Sequence, residues 1–426
     1  MKLFCGLFFG FLLIAAARAD DGVAPRLTLG DATREALAHN PGIQEALSQW
    51  NAAKEEVAQQ GAWDDLQVSA MSRVGRFVDV PRNGFADQTL SVSQMIPVTG
   101  KNLLRARAAA AEALVAYEDA RRRELDVAAQ TRAAYYRLAN TRAQIELTRQ
   151  NLALLQQIAE VTRGHYETGG QGAGDVLEAE TEAGKLIESA RDLDRDRAEG
   201  ESQLNVLMGR DAFQPVGGLD AAPLPDADLD IARLQALTLA NRPEIRSAEY
   251  RLEAARARLK LAHRAWIPDP DVTLEGQRYN AAGQGVSEVD AGISFNIPWT
   301  NGSKYTAGVR EAASHVAAAE HALDAARQEA MGLLRNAIED AATARHHEHL
   351  SGGALLAQAD AAQKTVGIGY QAGNGSLTDW IVAGRNLRDL QSMATQAQAD
   401  YAVAIAGLEA IAGASLTDKS INTPKP

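Results

Sequence analysis

The sequence predicts a mainly α-helical chain with a transmembrane β part, built from one helix-strand-strand-helix unit used twice. Three observations carry that class. Residues 102–163 contain neither glycine nor proline, so one helix can run the whole way. Four short segments alternate apolar and polar side chains with a period of two. A set of landmarks in the first half also returns in the same order about 202 residues later.

The chain opens MKLFCGLFFGFLLIAAARAD, with an early lysine, an apolar run over 3–16 and then Ala17-Arg18-Ala19. That is the plan of a secretory signal peptide over 1–19, with cleavage expected after Ala19. The run is too short to span a bilayer. Cys5, the only cysteine, lies inside it, and Leu3-Phe4 do not make a lipid-attachment box, so the exported chain is expected to carry no thiol and no disulfide. Net charge is −12, and about −14 once Lys2 and Arg18 are lost. Acidic and basic residues are interspersed, which makes nucleic acid a poor partner. No later stretch is apolar enough for a transmembrane helix, so integral contact with a membrane must come through strands.

The duplication sets the boundaries. ALAHNPGIQEA (36–46) recurs as TLANRPEIRSA (238–248), with Leu37, Pro41, Ile43 and Ala46 matching Leu239, Pro243, Ile245 and Ala248. Ala62-Trp63 and Ile96-Pro97 return as Ala265-Trp266 and Ile297-Pro298. HYETGGQGAGDVLEAE (165–180) pairs with GYQAGNGSLTDWIVA (369–383), and Leu204 and Gly209 pair with Leu408 and Gly413. Repeat 1 then covers 20–213, a linker 214–230, repeat 2 231–413 and a flexible tail 414–426.

Each repeat has strands, a rod and a returning helix. In repeat 1 the strands are expected at about 65–75 and 88–97, the long helix at about 102–163 and the returning helix at about 175–208. In repeat 2 they are expected at about 271–279, 287–298, 303–370 and 379–412. At 1.5 Å per residue the first rod is about 90 Å long, the length of a coiled-coil or barrel stave. Leu138, Ile145 and Leu152 form one heptad stripe, and Leu147, Leu154 and Val161 a second, about 200° away around the helix. Two stripes let a helix pack on two neighbours, as in a closed ring; a helix buried in an ordinary bundle is the plainer alternative.

The strands are two-faced. In EVDAGISFNIP, Val289, Ala291, Ile293, Phe295 and Ile297 face one way, and Glu288, Asp290, Ser294 and Asn296 the other. Such segments fit an outer-membrane barrel, or a soluble hairpin packed on its own helices. Four strands cannot close a barrel, and an open edge in lipid leaves backbone groups unsatisfied, so several chains would have to share one.

Chemistry is sparse. Four glycines precede Asp175 in 165–180, but no strand leads into them and no Gly-Lys-Ser/Thr follows, so a phosphate cradle is excluded. Asp175-x-x-Glu178 reads as a capping box at the start of the returning helix. No nucleophile motif or paired-carboxylate signature appears, which argues against an enzyme and against any cofactor. His346 and His349, at i and i+3 on the second rod, are weak metal candidates without a third ligand.

With a signal peptide, a duplicated unit, two rods and barrel strands, the chain resembles the TolC-type outer-membrane efflux family over nearly all of its mature length. The matching stretches are LTLGDATREALAHNPGI, SQMIPVTGK, FNIPWTNGSK and the two glycine turns with their Asp-Val-Leu and Asp-Trp-Ile continuations. The resemblance implies a homotrimer whose twelve strands form a pore through the outer membrane of a Gram-negative bacterium, continuous with a helical tunnel across the periplasm. It implies a tripartite efflux system: a periplasmic adaptor (membrane fusion protein) docking at hairpin tips around Gly169, Gly170, Gly172, Gly373 and Gly375, and an inner-membrane pump of the RND type. It carries a periplasmic gate onto Asp175, its partner Tyr370 and the pore-constricting Asp379. Two departures stand out, since Gly375 replaces a locking arginine and Val382 replaces a second ring aspartate. The compact chain resembles the metal-efflux branch (CzcC- and CusC-like) more than the drug branch. A type I protein-secretion channel and a soluble periplasmic helical scaffold are the alternatives.

Overall fold

In a computed structural model the described residues are 26–74, 86–167, 173–279 and 288–416. They form nine helices and four strands: α1 Leu29–His39, α2 Pro41–Gly61, β1 Gln67–Ser72, β2 Ala86–Met95, α3 Lys101–Glu167, α4 Ala173–Leu207, α5 Ile231–Asn241, α6 Pro243–Arg264, β3 Asp271–Tyr279, β4 Glu288–Ser294, α7 Gly302–Ser351, α8 Ala354–Gln371 and α9 Leu377–Ala412. The duplicated order expected from the sequence is therefore present. Residues 1–25 and 417–426, with the expected signal peptide and most of the tail, lie outside the described residues.

The opening helix of each copy is broken by its proline. Asn40 caps α2, its side chain accepting from the Gly42 and Ile43 amides, and Pro41 supplies the first helical φ. In repeat 2, Arg242 and Pro243 occupy the same junction. The duplication is visible in the bonds: Asn40 donates to the Leu207 carbonyl at 2.9 Å, and Arg242 donates to the equivalent Ile411 carbonyl at 3.2 Å. Gly209 and Gly413, both left-handed, close the returning helices against the carbonyls of His39 and Asn241.

α3 is an unbroken rod of 67 residues, about 100 Å long. Its first stripe is buried at Leu138 and Ile145, while Leu147, Leu154 and Val161 of the second stay half-buried. Exposed charge pairs run along the seams: Glu112, Asp119 and Arg122 of α3 face Arg258, Arg251 and Glu244 of α6, and Arg256 and Glu249 of α6 face Glu320 and Arg327 of α7.

The second rod departs from expectation. It is not one helix over 303–370 but α7 and α8, separated at Gly352-Gly353. Consecutive glycines give up the most backbone freedom on entering a helix, and repeat 1 has Thr148 and Arg149 at the matching positions. The linker also differs. Leu27 exchanges backbone bonds with Gly218 and Asp220, and the buried Tyr135 of α3 donates to the Leu27 and Asp220 carbonyls, so the segment is strapped across the rod.

The strands form one antiparallel sheet in the order β1-β2-β3-β4, with β2 against β3 joining the two repeats. β1 and β4 are shorter than expected, and Phe295 and Ile297 lie beyond β4, where Pro298 opens a 3-10 turn. The ends expected near residue 75 and at 287 lie outside the described residues. The register keeps the faces separate. Val68, Leu90, Val92, Val272, Leu274, Val289, Ala291 and Ile293 share one face; Gln67, Ser69, Ser91, Ser93, Thr273, Glu275 and Asp290 share the other. The apolar face is open, Val68 being 63% and Ile293 71% exposed, and no described strand pairs the outer edge of β1 or of β4. Among the described residues, no helix is long and apolar enough to cross a membrane.

Candidate gate at the helix ends

The two rods and the two returning helices converge far from the sheet. A small core sits there, built from Ile158 of α3, Ala179 of α4, Tyr370 of α8, and Leu377, Trp380 and Ile381 of α9. Tyr370 is fully buried; its hydroxyl lies 3.0 Å from the Thr162 hydroxyl, and its ring meets Trp380 with centroids 5.3 Å apart. Gly367 leaves room for that tryptophan, since a Cβ there would stand 2.8 Å from its Nε1. The α8–α9 turn follows from its glycines. Gly373 takes φ +76°, the Asn374 amide donates to the Gly369 carbonyl, and a Cβ on Gly375 would lie 2.9 Å from the Tyr370 nitrogen.

The expected gate residues are gathered at this end, with corrections. Asp379 stands exposed in the first turn of α9, where a carboxylate is favoured by the free amides. Asp175 is half-buried in the first turn of α4, which begins at Ala173, so Asp175 is inside the helix rather than its cap. Glu178 does not complete a capping box; its carboxylate accepts from Thr378 of α9 at 3.2 Å. Among the described residues no hydrogen bond joins Asp175 to Tyr370. Gly373 and Gly375 form the second tip, whereas Gly169, Gly170 and Gly172 lie outside the described residues.

One group was not expected from the sequence. Glu182 of α4, 5% exposed, is held by Arg385 of α9 through Nε at 2.9 Å and Nη2 at 2.5 Å, and by Lys185 at 2.6 Å. The bonds from Arg385, and then from Lys185, hold the Glu182 carboxyl below the usual glutamate value against the opposing effect of burial. Trp380 was signalled by the Asp-Trp-Ile motif; Thr162, Glu182 and Arg385 had no signal because their partners are about 200 residues away.

His346 and His349 are exposed on α7 and gather no third ligand; no group of three metal-binding side chains is found among the described residues. At the other end of the molecule, the polar sheet face carries Asp271, Glu275, Glu288 and Asp290 on β3 and β4, while β1 and the stretch 88–95 of β2 carry no charge.

The comparisons agree with this architecture. The family model described as "Outer membrane efflux protein" matches residues 32–210 and 234–414, the two repeats in turn. A probable efflux pump outer membrane protein, SepC of Pseudomonas putida, is 30% identical over 226 residues, which is 52% of this chain and 46% of that one. The chain thus spans about half the length of that relative. The nickel-cobalt-cadmium resistance protein NccC of Alcaligenes xylosoxydans xylosoxydans is 26% identical over 78% of this chain and 74% of its own. Among solved structures, the Campylobacter jejuni CmeC outer membrane channel shares the fold with a TM-score of 0.80 at 17% identity, covering 92% of this chain and 86% of that one.

Proposed function

The chain belongs to the outer membrane efflux protein family, and from that premise we propose that it is the outer-membrane channel of a tripartite efflux system, a passive duct for substrates handed over by an inner-membrane pump through a periplasmic adaptor. The observation that carries the reading is the sheet. A four-stranded sheet with one exposed apolar face, one polar face and two open edges has no stable end point in water or in lipid as a single copy. Three copies supply twelve strands, and closure puts the apolar face toward lipid and the polar face toward a lumen. The rods then continue the duct away from the membrane, and the helix ends form its periplasmic mouth.

At that mouth Asp379, one per protomer, lines the constriction, while Asp175 and Tyr370 position the helices around it. An adaptor hairpin docks at the second tip, around Gly373 and Gly375, and at the glycine-rich stretch of repeat 1 that holds Gly169, Gly170 and Gly172, and the pump is of the RND type. This assigns the chain binding and conduction rather than catalysis. Relatives are named for toluene efflux and for nickel, cobalt and cadmium resistance. Cations or small toxic compounds are accordingly the substrate class, with selection left to the pump.

The test is fractionation followed by reconstitution. Protein that enters the outer-membrane fraction, needs detergent for release and gives discrete conductance steps in a planar bilayer supports the channel. Protein fully soluble without detergent supports the periplasmic scaffold instead.

A further inference from the structure

We propose that the break in the second rod opens a binding pocket for an organic cation with an apolar body, set in the wall of the duct; its place in a duct wall rests on the channel reading above. A cavity of about 740 Å³ lies where α7, α8 and α9 meet, with Gln144 of α3 on its remaining side. Sites for one small molecule generally measure about 300–1,000 Å³.

The break makes the pocket. Leu350 near the end of α7 and Leu355 at the start of α8 both line it, and they are 55% and 42% exposed. Five positions apart on an unbroken helix, they would point about 140° away from each other. Gly352-Gly353 lifts that constraint, so both reach one cavity. Opposite them α9 presents Leu390, Met393, Ala397 and Asp400, a stripe at i, i+3, i+7 and i+10. The pocket also lies away from the linker. Arg142 donates to the Val216 and Gly217 carbonyls, and Gln144 stands about 200° further round α3. With the linker strapped to the outside of a ring of rods, the pocket opens on the side that encloses the duct.

Charge selects the occupant. Asp340 of α7 and Asp400 of α9 line the cavity, no lysine or arginine does, and among the described residues neither carboxylate forms an ion pair. Asp400 accepts from Gln396 at 2.8 Å. Repeat 1 differs here. With the shift of 204 that aligns Asp175 with Asp379, Asp400 matches Asp196, which Arg195 neutralises at 2.8 Å, and Ala399 stands in place of that arginine. Carboxylates beside apolar surface attract a cation more strongly than in open water, and Leu350, Leu355 and Met393 cover its apolar body. A bare metal ion is a poorer match, since no group of three metal-binding side chains is found among the described residues.

The experiment follows maleimide labelling of Met393→Cys in the detergent-purified oligomer, where Cys5 has left with the expected signal segment. Rates are compared alone, with tetraphenylphosphonium, and with tetraphenylborate, the anion of the same shape. Phe213→Cys, at a position 95% exposed beyond α4, is the control, and planar-bilayer recording of the same preparations runs alongside. Expected are labelling slowed about fivefold or more by saturating tetraphenylphosphonium, little change with tetraphenylborate or in the control, and loss of protection when Asp340→Asn and Asp400→Asn are added. If the carboxylate variants do not assemble, cation against anion on Met393→Cys decides alone. Equal protection by both ions, or protection that survives without the carboxylates, overturns the proposal. A thiol that resists maleimide with no ion present places a second copy over the groove and overturns it too. No protection in an oligomer that conducts removes the pocket and leaves the channel standing; protection in one that never conducts keeps the cation pocket and removes the channel reading.

Discussion

Gly209 and Gly413 show how much the fold asks of single residues. Both take φ near +70°, and a Cβ would stand 2.5 Å from the His39 carbonyl oxygen in one case and 2.9 Å from that of Asn241 in the other. Gly209→Ala and Gly413→Ala should each cost about 2 kcal/mol or more, the left-handed penalty plus the clash, read as a lowered unfolding midpoint in detergent. Glu182 makes a second prediction at this scale. Its carboxyl titrates below the ordinary glutamate value in the folded protein, so its contribution is complete above about pH 4.3, where the unfolded chain titrates, and is lost as pH falls through the lower native value. The stability gap between wild type and Glu182→Gln should therefore shrink on acidification; a gap that widens would contradict the assignment. Asp379 and Tyr370 came from the family resemblance, which attaches a gate to these positions beside the second glycine turn. Glu182 with Arg385 was not legible, since the pair joins non-equivalent positions across copies.

Elements are held by apolar seams more than by charge. Leu138 is buried between α3 and α4 where Gly200 permits close approach, and Leu138→Ala should cost about 2–5 kcal/mol. Arg251 and Arg258, on the exposed ladder between α3 and α6, should cost about 0–1 kcal/mol each when changed to alanine, and less at high salt. Comparing thermal midpoints of the three variants tests that ranking. The strands make a different prediction. All four carboxylates of the described polar face lie in the repeat 2 hairpin, so the pore should prefer cations, and replacing Glu275, Glu288 and Asp290 by Gln or Asn should move the reversal potential in a KCl gradient toward zero. Strand faces were readable from alternation, but strand ends were not, because pairing partners and Pro298 decide where the ladder stops. The interruption at Gly352-Gly353 was equally open to the eye. The glycine- and proline-free first rod pointed to an unbroken twin, and the two glycines override that symmetry locally.

At the scale of the molecule the duplication did most to make the fold readable. It placed the strands together, set both rods on one side of the sheet and put a glycine turn at the far end of each copy; the structure has the second turn there, while 168–172 of the first lie outside the described residues. The linker escaped it. Val216, Gly218 and Asp220 have no counterpart in a second copy, and their docking on Tyr135 depends on the tertiary surface of α3. The open edges of β1 and β4 remain the feature from which the channel follows, and they can be tested directly because the only cysteine, Cys5, lies in the expected signal segment. Ala70→Cys on β1 would be combined in turn with Val289→Cys, Ala291→Cys and Ile293→Cys on β4, all on the apolar face. One pairing should lie within disulfide reach across neighbouring copies. Oxidised membranes run under denaturing, non-reducing conditions should then show a ladder that ends at three chains. A single-chain band for every pairing, or a ladder running past three, would contradict a barrel closed by three copies.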